Sequence, residues 1–171
     1  MPDSLLCTNR DFEQAYLRNV DTVFRVCFIY LKQSRADLED AVQDTFLKLI
    51  KADKRFESLE HEKAWLIVTA TNTCKNYLKS KWKRDVVLND QLFSNRGSED
   101  QFSDLDNNTV IQGVMDLPAK YKTIIYLYYY EGYKTEEIAK LLKKKPATVR
   151  NLLHRARGLL RNELEGIPYE Y

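Results

Sequence analysis

Arg150, Asn151, His154 and Arg155 share one side of a short segment, TEEIAKLLKKKPATVRNLLHRAR, that runs from Thr135 to Arg157. Each can place a donor on a base edge or a phosphate oxygen. Arg pairs bidentately with guanine and Asn with adenine. Val149, Leu152, Leu153, Ala156, Leu159 and Leu160 recur at three- and four-residue steps, so the other face of the same segment is apolar. The plain alternative is a core stripe backed by solvated cations. Two further sets have residue types that could do chemistry. Asp40, Gln43, Asp44 and Leu47 form a stripe at i, i+3, i+4 and i+7, with one apolar side chain among the acids, which suits a protein interface. Asn72, Asn76, Lys79 and Lys83 form another, with Lys75 and Trp82 beside it. Amides, lysines and an aromatic are the ingredients of single-strand binding, where bases stack and positive charge tracks the backbone. Taken alone, both stripes also read as ordinary solvated faces.

Catalysis and metal chemistry find little support. The two histidines, His61 and His154, have no nucleophile or metal partner near them in sequence. The three cysteines, Cys7, Cys27 and Cys74, are scattered and form no Cys-x-x-Cys pair, so neither a disulfide framework nor zinc is expected, and no cofactor. Reduced thiols in a cytoplasmic protein are the plain reading. The N-terminus lacks the apolar run of a signal peptide, and no stretch could span a bilayer.

The elements that must carry these stripes are helices. Among 171 residues there are five glycines and four prolines, and the charged residues are mostly long helix formers. The spacing predicts a helix from about Arg10 to Leu31, with Phe12, Tyr16, Val20, Val23, Phe24, Cys27 and Leu31 buried. Ser34 caps a second helix, whose core stripe is Leu38, Ala41, Val42, Thr45, Phe46, Leu49 and Ile50. A basic loop over 51–60 leads to a third helix from about Glu60 to Arg84, with Leu66, Ala70, Thr73 and Tyr77 inward. Residues 86–107 are rich in Asn, Asp, Ser and Gln without a period and read as a flexible acidic linker. A short helix over 109–115 precedes Leu117-Pro118, then a helix with Tyr121, Ile124, Ile125 and Tyr128 inward that stops at Gly132. Thr135 is expected to cap the next helix, and Pro146 to open the last after a turn of three lysines. The fold class is therefore all-α, two small helical domains on either side of the linker. The expected divisions are 1–85, 86–107, 108–165 and a loose tail at 166–171.

The net charge is only +2, yet its distribution is uneven. Lys75, Lys79, Lys81, Lys83 and Arg84 form one basic cluster. Lys143 to Lys145 with Arg150, Arg155, Arg157 and Arg161 form another, and acids dominate between them. Two basic modules point to a nucleic-acid partner.

Taken in order, these motifs resemble a bacterial RNA polymerase sigma factor of the small extracytoplasmic-function group. Asp40-Ala41-Val42-Gln43-Asp44-Thr45-Phe46 is similar to the D-x-x-Q-(D/E)-x-F motif of sigma region two. Ala64-Trp65-Leu66, Asn72 and the basic run to Arg84 are similar to its promoter-melting helix. Leu117-Pro118, Tyr129-Tyr130-Glu131-Gly132, Glu137-Ile138-Ala139, Thr148-Val149-Arg150 and His154-Arg155-Ala156-Arg157 are similar to sigma region four. Asn76, Lys79, Lys144, Lys145, Ala147 and Leu152 depart from the common pattern. The resemblance implies a non-enzymatic initiation factor that binds core polymerase, recognises −10 and −35 promoter elements and aids melting. Asp40, Gln43, Asp44 and Leu47 would contact the β′ clamp helices. Arg55, Phe56, Asn72, Lys75, Asn76, Lys79 and Lys83 would take the −10 element. Thr148, Arg150, Asn151, His154 and Arg155 would read the −35 element, with Arg157 and Arg161 on phosphate or in solvent. The implied partners are core polymerase, including its β flap, promoter DNA and an anti-sigma factor. A lone helix-turn-helix regulator and a helical protein–protein adaptor are the rival readings.

Overall fold

The computed structural model describes residues 9–88 and 109–164, all in helices or the short connections between them. The expected tail, and all of the expected linker beyond its first three residues, lie outside the described residues. The chain divides into two compact units, Met1–Ser94 and Asn95–Tyr171. Seven helices are described: α1 (Asn9–Leu31), α2 (Arg35–Ala52), α3 (Leu59–Leu88), α4 (Thr109–Asp116), α5 (Ala119–Ile125, continued by a wider π-type turn over Tyr126–Tyr130), α6 (Thr135–Leu141) and α7 (Pro146–Leu164).

In the first unit α1, α2 and α3 pack pairwise against one another. Helix α1 is buried over a broader arc than one apolar stripe requires. Ala15, Val23, Val26, Cys27, Phe28, Tyr30 and Leu31 are buried together with the polar Asn19 and Thr22. Tyr16, expected inside, stays partly exposed, although its ring lies 4.7 Å from that of Phe46. The buried polar groups have partners. Asn19 Nδ2 donates to Glu62 Oε1 at 2.7 Å and to the Ala15 carbonyl at 2.9 Å, and Arg18 Nη2 lies 3.2 Å from both Glu62 oxygens. A carboxylate as enclosed as Glu62 needs such company, because an unpaired buried charge is costly.

Ser34 caps α2 as its sequence position indicates, its Oγ accepting from the Asp37 amide. Leu38, Ala41, Thr45, Phe46 and Leu49 form the buried side, and Thr45 Oγ1 is satisfied by the Ala41 carbonyl at 2.7 Å. Ile50 was expected in this stripe but is 49% exposed, because it lies one step around the helix from Phe46, toward solvent. Helix α2 ends at Asp53 in the left-handed region (φ 42°), which Asp tolerates. Ser58 then caps α3, its Oγ accepting from the His61 amide. Helix α3 continues to Leu88 rather than stopping near Arg84, so residues 86–88 belong to it and not to the linker.

Cys27 on α1 and Cys74 on α3 are distant in sequence but meet as thiols in this core, both fully buried. The hydrogen bond between them, then burial, push the Cys74 thiol far above its ordinary range. The folded state therefore holds protons that the unfolded state releases at high pH. The contribution is complete below the usual thiol range and declines as pH rises above it. Native-state alkylation near neutral pH should leave both peptides unmodified by mass spectrometry, and labelling should begin only where denaturant unfolds the bundle. Labelling of either cysteine at the rate of an exposed thiol would contradict this packing.

In the second unit Leu117, Tyr121, Ile124, Ile125, Tyr126 and Leu127 form the core with Ile138, Ala139, Val149, Leu153 and Ala156. The Glu131 amide bonds to the Tyr126 carbonyl, a five-residue step. That wider turn shifts the phase, so Tyr126 and Leu127 point inward while the expected Tyr128 is only half-buried. Gly132 (φ 75°) ends the segment. Thr135 does not cap α6. The helix begins on Thr135, and Glu137 Oε2 instead accepts the Lys134 amide at 2.7 Å. Lys143 takes the left-handed position (φ 52°) after α6, where a non-glycine residue costs about 1–2 kcal/mol. Lys144 N donates to the Ala139 carbonyl, and Pro146 opens α7 as expected. Leu159, expected on the apolar face of α7, is 40% exposed, since it sits at the edge of the arc that Val149, Leu153 and Ala156 define.

Candidate functional site

Three exposed faces carry the residues whose types suggested chemistry. The first lies on α2. Asp40, Gln43 and Leu47 are exposed and Asp44 is half-buried. Helical spacing places Ile50 beside Gln43 and Leu47, so two exposed apolar side chains border the acids. Ile50, expected in the core stripe, instead belongs to this exposed face. Tyr77 of α3 donates its hydroxyl to Asp44 Oδ2 at 2.7 Å. Burial, then this bond, then the charges of Asp44, Asp40 and Asp37 push the Tyr77 phenol well above its ordinary range, so it stays a donor. One turn away on each helix, Lys48 Nζ donates to Thr73 Oγ1 at 2.8 Å.

The second face lies on α3 and the loop before it. Asn72, Asn76, Lys79 and Lys83 are exposed along one side and Lys75 is half-buried beside them. Trp82 is 68% exposed on the flank. Arg55 is exposed in the loop. Phe56 is half-buried, its ring edge-on to His61 at 5.5 Å and 5.7 Å from Trp65. His61 and Trp65 fall on the side of α3 that carries Asn72. The loop thereby completes an aromatic cluster at one end of the stripe, and the lysines lie at the other. From sequence Trp65 enters only through the Ala64-Trp65-Leu66 motif, and His61 is not assigned to this face. Their shared period with Asn72 and Asn76 was the available signal.

The third face lies on α7, where Thr148, Arg150, Asn151, His154 and Arg155 are all exposed. Arg150 is not fully at liberty: its Nη1 lies 3.5 Å from Glu136 Oε1 of α6. The Glu136 carboxyl is held below its ordinary range, first by its own backbone amide, then by the Thr135 hydroxyl and the Arg150 charge. Arg157, expected on phosphate or in solvent, is exposed but also touches two tyrosines. Its Nε donates to the Tyr129 hydroxyl at 2.5 Å, and the guanidinium carbon lies 5.3 Å from the Tyr128 ring centre and 5.5 Å from that of Tyr129. The hydrogen bond to Tyr129 raises the Arg157 pKa further. The π-type turn is what presents these rings to α7. Among the described residues no cluster of His, Cys, Asp and Glu could hold a metal, and no helix is long and apolar enough to cross a membrane.

Comparison with known proteins follows the same division. The family Sigma-70 region 2 matches residues 15–84, and Sigma-70, region 4 matches residues 110–160. The RNA polymerase sigma factor SigV of Bacillus subtilis is 32% identical over 143 residues, 82% of this chain and 83% of that one. The ECF RNA polymerase sigma-E factor of Haemophilus influenzae is 29% identical over 145 residues, 77% of each. Two solved structures share the fold. One is the sigma factor RpoE in complex with the anti-sigma factor NepR from Bartonella quintana (TM-score 0.65, 23% identity, 91% of this chain and 98% of that one). The other is CnrH in complex with the cytosolic domain of CnrY (TM-score 0.63, 19% identity, 94% and 92%).

The Arg157 contacts predict a structural effect separable from the exposed donors. Arg157→Ala should destabilise the second unit by about 1 kcal/mol, the scale of one exposed cation–π contact plus a hydrogen bond. Asn151→Ala should leave stability unchanged. Chemical denaturation of the full chain, followed by hydrogen exchange on α7 peptides, reads both. Equal stabilities for the two variants would show that the Arg157–tyrosine contacts do not hold α7.

Proposed function

The chain belongs to the extracytoplasmic-function group of RNA polymerase sigma factors, which direct polymerase to promoters, and from that membership we propose how its three faces divide the work. The α2 face docks on core polymerase. Asp40, Gln43 and Asp44 meet a basic, polar surface on the β′ clamp helices, and Leu47 with Ile50 supplies the apolar contact that becomes dry on binding. A polar rim around an apolar spot is the usual anatomy of such an interface.

The α3 face takes the −10 element as its strands part. Asn72 and Asn76 can pair with base edges, and Lys79 and Lys83 with phosphates. Lys75 and Arg55 add positive charge at either side. A base leaving the stack costs a few kcal/mol, and the Phe56, His61 and Trp65 cluster offers stacking that can repay it. The α7 face reads the −35 element from the major groove. Arg150 and Asn151 lie early in the second helix of the helix-turn-helix, where base contacts concentrate. Thr148, His154 and Arg155 surround them. In this reading α4 to α7 also meet the β flap, and residues 1–88, 89–107 and 108–165 act as polymerase module, connector and upstream module. The work is done by binding alone, without catalysis, in the cytoplasm. One of the two solved neighbours is in complex with an anti-sigma factor, and an anti-sigma partner is proposed here on that likeness.

The observation that carries this reading is the placement of the acidic and amide–lysine stripes on different helices of one bundle, both outward. Polymerase and DNA can then be engaged at once, and the two tasks should separate by mutation. Asp44→Arg should weaken binding to core polymerase roughly ten-fold or more, since it sets a like charge against the partner. Lys79→Glu with Lys83→Glu should keep core binding but fade permanganate reactivity of the melted promoter. It should also lower the salt slope of promoter binding by roughly two units, one per lost phosphate contact. Wild-type competition for core by the first variant, or wild-type footprints from the second, would defeat the corresponding assignment.

A further inference from the structure

Within the α2 stripe Asp44 alone is half-buried, and the group that covers it comes from the other working helix. Tyr77 reaches from α3 to Asp44 Oδ2 at 2.7 Å, and the parallel contact from Lys48 to Thr73 Oγ1 at 2.8 Å lies one turn along each helix. These two rungs tie α2 to α3 beside a largely apolar seam. A phenylalanine would fill the space of the Tyr77 ring. The hydroxyl adds only one thing, a charge-assisted bond to a carboxylate on the proposed docking face. An aspartate on a helix surface otherwise samples several rotamers, and ordering it on association weakens binding.

We infer that Tyr77 is a positioning residue for core polymerase binding. Its hydroxyl fixes the Asp44 carboxylate before the partner arrives, with one oxygen committed to the phenol. The inference rests on the reading of the α2 stripe as the polymerase contact. Tyr77 directly follows Asn76 in α3, so the residue that orders the polymerase face is rooted next to one that faces promoter DNA.

A double-mutant cycle on the full chain tests this. Affinity for purified bacterial core polymerase is measured for wild type, Tyr77→Phe, Asp44→Ala and the double variant. Tyr77→Phe keeps the packed ring and should weaken binding about five-fold, the scale of one side chain that must now be ordered on association. In the Asp44→Ala background the same change should have no further effect. A purely structural role would lower affinity equally in both backgrounds, and that result would overturn the inference. So would wild-type affinity for Tyr77→Phe when Asp44→Ala binds weakly, which would leave the docking assignment standing. Wild-type affinity for Asp44→Ala would instead remove Asp44 from the docking face, and the role of Tyr77 with it.

Discussion

Helix α1 is covered on two sides, and the use of the first unit follows from that. Phe12 and Tyr16 pack on Phe46 of α2, while Asn19 and Arg18 hold Glu62 of α3 and Cys27 meets Cys74. Each of α2 and α3 spends one side on α1 and another on its neighbour, which leaves one outward side apiece. On α2 that side is acidic with two apolar residues. On α3 it is a row of amides and lysines that begins at an aromatic cluster.

The second unit has a different constraint. Helix α7 must project its donors and still be held. Val149, Leu153 and Ala156 anchor it through apolar contact, which fixes one side but slides easily. Arg157 against Tyr128 and Tyr129, and Arg150 against Glu136, add directional contacts on the flank. The pair at Arg150 is exposed and weak, so a partner docking on this face, DNA in the proposed reading, could displace it. The contacts at Arg157 combine a hydrogen bond with two rings and serve to hold the helix. Two arginines two turns apart along one side of α7 thus have different contacts, one an acid and the other a pair of tyrosines presented by the preceding π-type turn.

Much of this was legible in the chain. Ser34, Pro146 and Gly132 mark ends because their backbone chemistry is local. The three stripes could be read because helical period assigns a side to every residue. Period does not say how wide the covered arc is. Ile50 and Leu159 sit at arc edges, and only the neighbouring helix decides that they face solvent. Tyr128 was misplaced because a π-type turn leaves no composition signal yet shifts every later residue. Thr135 lost the cap to Glu137, whose longer side chain reaches the free amide. The Cys27–Cys74 contact and the Tyr77–Asp44 bond join residues far apart in sequence, and no spacing rule can show them. Most residues assigned to polymerase and to DNA lie on exposed faces, with Asp44, Phe56 and Lys75 half-buried, while the places of Trp65 and His61 depend on the loop folded against them.

The central claim is that one three-helix bundle holds polymerase by α2 and promoter DNA by α3 at the same time. Photocrosslinking within a single open complex tests it directly. A photoreactive residue is placed at Gln43 in one preparation and at Asn76 in another, and the attached partner is identified. The account predicts protein adducts on the polymerase from position 43 and DNA adducts in the melted strand from position 76. Adducts to the same partner from both positions would contradict it.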